Sequence, residues 1–590
     1  MPAHASEVLV SKARTRKLTI VAQDPSVTDS QGNILTAEVD VPAEELAPGP
    51  WGYRVHVIDY DGSTRTLYKP LEYAADGDGV PKDRFKKPSQ RTIRENPQFH
   101  AQNVYAIVMR TLARFEFALG RRVSWGFRGH QLNVAPHAFA DANAFYSERD
   151  QALFFGYFPG RRATVFACLS HDVVAHETTH ALVDGLRERF TDPSSPDQAA
   201  FHEGFADVVA LLSVFSLRDV TKLLLDRDAG TRAGSRANRR LIDRKRLTST
   251  ALRRSLLFGL AEEMGEELSL VRGQALRRSV ELLPSRAYIK SDEFDDPHRR
   301  GELLVAAMMN AFVEVLVSRL ESLGRIEGNA LDRSRVAEEA AESADYLLTM
   351  TIRALDYTPP VHLEFPDFLS ALLTADHEIR PDDSKYQFRK HLLASFRGYG
   401  IDPCPEATRP DAFWPSPRGD EFRRERTHFE SMTRDPDEVF RFIWENRRAL
   451  GLSDGAYTRV LSVRPCLRIA PDDGFPLRET VAECMQQIKI EAGRLKSLGV
   501  EKPKEMPDEQ EVCLDGGMTL IFDEYGRLKF AVAKRLLDAS DPEVQARQSR
   551  RLADLWRFGY FRKGAALARR FSAMHRQRAL GMTRAPAEEW

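Results

Sequence analysis

The segment from Leu169 to Leu212 carries the residues best suited to chemistry. It contains His176-Glu177-Thr178-Thr179-His180, an H-E-x-x-H pattern. On an α-helix, positions i and i+4 lie ~40° apart around the axis and one turn along it. Both imidazoles therefore share a face and can reach one metal ion. Imidazole suits zinc, whose Zn–N bonds of ~2.0–2.1 Å hold the ion close to that face. Glu177, beside the first imidazole, is placed to take a proton from water at the metal without binding the metal itself. A catalytic zinc uses about three protein ligands and keeps one position open. Glu203, in the apolar helical stretch Phe201 to Phe215, is the candidate third ligand. Asp207 follows it by one helical turn, where a carboxylate can accept the outer ring N–H of a ligand histidine and fix its tautomer. Alone, H-E-x-x-H arises by chance on solvated helices, and E-x-x-x-D is an ordinary charged face. Together, spaced to fold back as a helical hairpin, they predict a site for one Zn2+.

DVVAHETTH is similar to the active-site helix of the thermolysin-like zinc metallopeptidases, which are of gluzincin type. HEGFAD resembles their N-E-x-x-x-D segment, with His202 in place of the asparagine. The resemblance covers roughly residues 95 to 402. It implies an α+β, two-lobed catalytic unit, with a strand-rich N-terminal lobe, a helical C-terminal lobe and the zinc helix between them. It implies a zinc-dependent endopeptidase that hydrolyses peptide or protein substrates. Asn143-Ala144-Phe145-Tyr146 looks like the family's N-A-F-W edge strand, which pairs with the substrate. An exposed strand edge offers N–H and C=O groups to any extended peptide, and the Asn143 side chain would add a bond to a substrate carbonyl. His298, in Asp296-Pro297-His298-Arg299-Arg300-Gly301, sits where the family has its catalytic histidine and would hydrogen-bond the oxyanion. Arg277, in Gly273-Gln274-Ala275-Leu276-Arg277, is similar to an arginine that binds a substrate carbonyl.

Three departures qualify the resemblance. No tyrosine stands between His180 and Glu203, where family members place one on the oxyanion. Asp172 coincides with a calcium-ligand aspartate of secreted relatives, but the second helix offers Leu211, Leu212 and Val214 in place of its partner acid. Calcium takes about six to eight oxygens, so no calcium site of that type is expected, and Asp172 reads as a first-turn acid on a helix dipole. The N-terminus has no apolar core of signal-peptide length, which predicts a cytoplasmic protein without the family's usual export and pro-segment.

The elements around these residues follow from periodicity and turn chemistry. Residues 1–95 read as β-rich, with alternation at Tyr53 to Val57 and a hairpin turn at Asp61-Gly62; residues 74–95 read as a surface linker. Val104, Ile107, Val108, Leu112, Phe115 and Leu119 repeat at helical spacing and predict a helix from Pro97 to Leu119. Ala163 to Leu169 reads as a buried strand leading into the zinc helix. Further helices are expected over Leu303 to Val317, Ala337 to Leu355 and Phe365 to Leu373. The first of these apolar runs is short for a bilayer and reads as a core helix.

The chain of 590 residues has 42% hydrophobic and 29% charged residues and a formal net charge of −1, an ordinary globular composition with no global pull toward nucleic acid. Its five cysteines form no C-x-x-C pair, which argues against a cysteine zinc site or a disulfide framework. Arginines between residues 228 and 256 read as a solvated helical insertion. The expected divisions are 1–95, 96–190 (lobe with zinc helix), 191–402 (helical lobe) and 403–590. The last, beyond a proline-rich boundary, reads as an α+β module: a strand Tyr457 to Ile469, a helix around Arg478 to Leu498, a hairpin Met518 to Ala533, and a basic helical tail from Arg547. The tail is expected to pack on the catalytic lobes, and the module to cover the cleft or recruit substrate. Two other functions remain open: a non-proteolytic zinc protein that binds through the cleft, and an aminopeptidase.

Overall fold

The computed structural model describes residues 15–561 apart from 30, 75–81, 128, 161–162, 193, 228–240, 255–278, 325–328, 385, 408–411, 418–421, 471–473 and 558. The protein is mixed α+β. β1 (Thr15–Val21) and β2 (Thr36–Pro42) form an antiparallel pair. β3 (Val55–Val57) is followed by the small hairpin of β4 (Tyr60–Asp61) and β5 (Thr66–Leu67), as the Asp61-Gly62 turn predicts. α1 (Gln90–Glu95) leads into α2 (Pro97–Leu119), which matches the expected helix. The stretch before α1 is more than a surface linker. The Asp83 carboxylate accepts hydrogen bonds from Thr19 and from the Gln102 side chain, tying it to β1 and α2.

β6 (Leu132–Phe139), β7 (Ala144–Ser147), β8 (Ala152–Pro159) and β9 (Thr164–Phe166) complete a sheet ordered β3-β6-β8-β7, with β9 also paired to β8. The strand read as buried over Ala163 to Leu169 is short and largely uncovered: Thr164 is exposed, Val165 and Phe166 are half-buried, and Ala167–Leu169 turns as a 3-10 helix into α3 (His171–Leu186). α4 (Pro196–Phe215) packs against α3. α5 (Arg218–Arg227), β10 (Leu241–Asp243) and α6 (Ser249–Leu252) follow. Most of the arginine-rich insertion, and all of Gly273 to Arg277, lies outside the described residues.

α7 (Pro297–Glu321) runs well beyond the apolar stretch that marked it. Among the described residues it is the one helix long and apolar enough to cross a membrane, and it is mostly buried inside the protein. It packs on α4, and the later helices α8 (Arg333–Ala354, after β11 at Ala330–Asp332) and α10 (Phe388–Gly398) pack on it. α9 (Phe365–Ile379) lies between α8 and α10 in the chain. A helix apolar on all sides has to be enclosed, and α3, α4 and α7 are the enclosed centre here.

Beyond Pro403, α11 (Phe429–Met432) and α12 (Pro436–Glu445) precede a four-stranded antiparallel sheet: β12 (Tyr457–Ile469), β13 (Pro476–Glu491), β14 (Glu511–Asp523) and β15 (Leu528–Lys534). The expected strand Tyr457 to Ile469 and the turn at Asp523 to Gly526 are found. The helix expected around Arg478 to Leu498 is not. Most of it is β13, and only Ala492–Leu498 winds, as a 3-10 turn. The basic tail begins as α13 (Pro542–Arg557), and residues from 562 onward lie outside the described ones.

This sheet is built onto the helices. Val481, Ile521 and Phe530 join the same apolar core as Leu18 of β1 and the central helices, while Ala482, Cys484, Leu520 and Phe522 pack on the other side against α12. Gly120, which caps α2 in the left-handed region at φ 67, allows the close approach of β12. A Cβ there would stand 2.4 Å from the Leu467 carbonyl oxygen, and the Leu467 N–H donates to the Gly120 carbonyl at 2.9 Å.

The rest of the seam is ionic. Arg468, fully buried, pairs with Asp356 at 2.5 Å and with Glu479, and Arg121 clamps Asp356 with both terminal nitrogens. Burial opposes ionisation of Asp356, but Arg121 and Arg468 outweigh it and hold the carboxyl below the usual range. The seam also reaches the loop after α3. There Arg187 donates to Glu483 of β13 and to the Leu355 carbonyl, Arg464 of β12 donates to the Leu186 carbonyl at 3.0 Å, and Arg189 reaches the Met485 sulfur at 3.7 Å.

Candidate metal centre

His176 and His180 stand one turn apart on α3, both fully buried, their rings edge to face with centroids 4.3 Å apart. Glu203 comes from the facing helix α4. Its Oε2 lies 3.7 Å from His176 Nε2 and its Oε1 lies 3.3 Å from His180 Nε2. One ligand atom from each residue falls within 4.8 Å of the others, so the three side chains could hold a metal ion. The donors, two imidazoles and a carboxylate, are what a borderline divalent ion takes.

The opposite ring nitrogens are held as well. His176 Nδ1 lies 2.9 Å from Asp207 Oδ1, the partner expected from the E-x-x-x-D spacing. His180 Nδ1 lies 2.8 Å from His202 Nδ1, and these two rings stack at 4.9 Å. With His180 Nε2 turned toward the metal position, its Nδ1 carries the proton and donates it to His202. His202 thus stands behind the second imidazole as Asp207 stands behind the first, an arrangement that would hold both rings with Nε2 toward an ion. The sequence marked His202 only as a replacement for asparagine; its place one residue before Glu203, on the turn that faces His180, was the available sign.

Glu177 is also fully buried, next to His176 on α3. Its Oε2 accepts the Tyr146 backbone N–H at 3.1 Å. Tyr146 lies on β7, which pairs with β8 on one side only and forms that edge of the sheet. Alternate N–H groups point to the same side of a strand, so those of Ala144 and Tyr146 face away from β8; the edge expected to be exposed is buried here, with Asn143, Ala144 and Tyr146 all enclosed. The Ala144 N–H is met by the Asn143 side-chain oxygen at 2.9 Å. The Tyr146 hydroxyl donates to Asp184 of α3 at 3.0 Å. Burial, reinforced by Glu148 and opposed by that hydroxyl, pushes the Asp184 carboxyl up to about 7.

His298 occupies the first turn of α7, half-buried, its N–H donating to the capping Asp296 at 2.9 Å. α7 and α4 touch where each has a glycine: a Cβ on Gly204 would stand 2.9 Å from the Gly301 carbonyl oxygen. That contact is adjacent to Glu203, so the first turn of α7 is anchored beside the third ligand. Arg300, from the same turn, pairs with Asp197 of α4. Asp172 lies in the first turn of α3, where the Ser170 hydroxyl donates to it at 2.5 Å. Arg277 lies outside the described residues. No family model matches this chain, and no curated protein matches it.

Proposed function

We propose that this chain is a zinc-dependent endopeptidase with a thermolysin-like, two-lobed arrangement. The observation that carries the reading is the convergence of His176, His180 and Glu203, both imidazoles fixed from behind, next to a buried glutamate that faces a strand edge. Zinc held there would supply Lewis acidity at the scissile carbonyl and at water. Glu177 takes the proton from the attacking water on its carboxylate and passes it to the leaving amine. The edge of β7 aligns an extended peptide, with Ala144 and Tyr146 offering backbone groups and Asn143 its side chain. His298 donates to the developing oxyanion.

One observation favours a non-proteolytic zinc protein instead. The N–H groups of Ala144 and Tyr146 are already engaged, by Asn143 and Glu177. A peptide-library digest with wild type and Glu177→Gln separates the two. The amide keeps the size of the side chain but cannot take the proton, so the variant should retain its metal and lose ~10²–10⁴ in kcat. A wild type that is metal-loaded and cleaves nothing selects the binding protein; a variant as fast as wild type removes Glu177 from its role.

A further inference from the structure

A second cluster of ligand-type side chains lies outside this site. His100 comes from the first turn of α2, His137 from β6, and Cys168 from the 3-10 turn that feeds α3. All three are buried, and one nitrogen from each ring and the cysteine sulfur lie within 4.8 Å of one another. We propose that His100, His137 and Cys168 bind a second metal ion, a thiophilic divalent ion of the zinc class, with a structural rather than a catalytic role.

The way the rings are held supports this. His100 Nε2 lies 2.9 Å from the Ile93 carbonyl oxygen, and a carbonyl only accepts, so that nitrogen carries the hydrogen. His100 Nδ1 is then the lone-pair nitrogen, and it points into the cluster. His137 Nδ1 lies 2.9 and 3.0 Å from the two oxygens of Asp59. A carboxylate behind Nδ1 turns the Nε2 lone pair into the cluster as well. A carboxylate behind one imidazole and a carbonyl behind the other are the outer partners that ligating histidines keep. Phe166 packs against both rings, at 4.9 and 5.1 Å, and walls the cluster with apolar surface.

The alternative is a plain hydrogen bond, since His100 Nδ1 and His137 Nε2 stand 2.8 Å apart. That bond needs a hydrogen on His137 Nε2 while Asp59 faces Nδ1, so the His137–Asp59 pair must hold an additional proton in a buried place. An ion removes the need for it. Ligand atoms around tetrahedral zinc stand ~3.3–3.6 Å apart, so the rings would separate by about half an ångström as the ion enters. Cys168 loses its thiol proton to solvent as the metal–sulfur bond forms. Two imidazoles and one thiolate suit zinc or copper-type ions, and not calcium or magnesium. Among the described residues, the carboxylate at the cluster, Asp59, is held by His137 Nδ1, which assigns the cluster a structural role. The ion would fasten α2, the central sheet and the start of α3 at one point.

The test uses the full-length protein loaded with Zn2+ for elemental analysis and with Co2+ for absorption spectroscopy. Wild type should hold two equivalents and show the near-ultraviolet charge-transfer band of a cobalt–thiolate bond. Cys168→Ser should hold one equivalent and lose the band. His180→Ala should also hold one equivalent but keep the band, because the α3–α4 site contains no sulfur. Cobalt-loaded wild type without a thiolate band overturns the proposal with no variant needed, and so does a band that survives Cys168→Ser. If the peptidase reading fails for want of metal at α3–α4, wild type holds a single equivalent, with the band, indifferent to His180→Ala. The two failures are therefore distinct.

Discussion

Two buried histidine pairs in this protein sit in different chemical surroundings. At the α3–α4 pair, a carboxylate completes the set, a glutamate stands next to the first ligand, and a strand edge runs past. At the His100–His137 pair, the third donor is a thiol, an aromatic ring walls the cluster, and the Asp59 carboxylate is committed to an imidazole. A carboxylate stands behind one imidazole in each place; what differs is the third group of the cluster and the glutamate beside the α3 pair. Metal-ligating geometry alone therefore does not distinguish the two places; under the function proposed above, Glu177 and the β7 edge do.

The largest effect expected from breaking this comparison is functional. His180→Ala or Glu203→Ala should remove one ion and reduce peptide cleavage to background, whereas Cys168→Ser should remove the other ion and leave cleavage within a few-fold of wild type. Elemental analysis and a peptide digest on the same preparations check both. Loss of both ions from either variant would show that the clusters are not independent.

Outer partners give a smaller, graded effect. Asp207→Asn should weaken metal binding at α3–α4 by ~10–100-fold, and Asp59→Asn should do the same at the second cluster. Competition with a chelator of known affinity reads each separately. Equal weakening of both sites by one variant would contradict the assignment of these carboxylates.

The smallest effect is on stability and concerns only the surroundings of the first pair. Asp184 titrates near 7 in the folded protein against an unfolded value of 3.8. Because the folded value is raised, its contribution is fully present below the unfolded value and is lost as pH rises through about 7. Asp184→Asn should therefore lose less stability than wild type between pH ~5 and ~8, by on the order of 2 kcal/mol. Urea midpoints at the two pH values measure this, and parallel changes in the two proteins would refute it.

What the sequence could reveal depended on how local the information was. His176, Glu177 and His180 lie within one helical turn and a half, and Glu203 and Asp207 within another, so helical geometry alone placed them together. His100, His137 and Cys168 come from a helix, a strand and a turn joined by no fixed spacing, and only the folded chain brings them within reach. β13 misled for a different reason. Its Glu, Gln, Lys and Arg residues favour helix, and its central stretch from Glu479 to Gln486 is buried continuously, which erases the alternation by which a strand is read. Both faces of that strand are covered, by the helical core on one side and α12 on the other. The β-branched Thr480, Val481, Ile488 and Ile490 were the countervailing sign. Most of the ionic seam was illegible for the same reason as the second cluster, since Arg121 is 235 residues from Asp356 and Arg187 is 296 from Glu483.

The contact of Arg187 with Glu483 spans 296 residues. At ~5–20 residues per second, a ribosome takes about 15–60 s to cover that distance. His176, His180 and Glu203 are thus made long before the strand that holds the loop between their helices. During that interval the loop lacks its contact with β13. A chain cut at Pro403 would stay in that condition permanently. It would also break the Arg187–Glu483 and Arg468–Asp356 pairs, leaving Arg187 with the Leu355 carbonyl and Asp356 with Arg121. The C-terminal sheet holds the loop between the two helices, so truncating it would not yield a smaller version of the same protein.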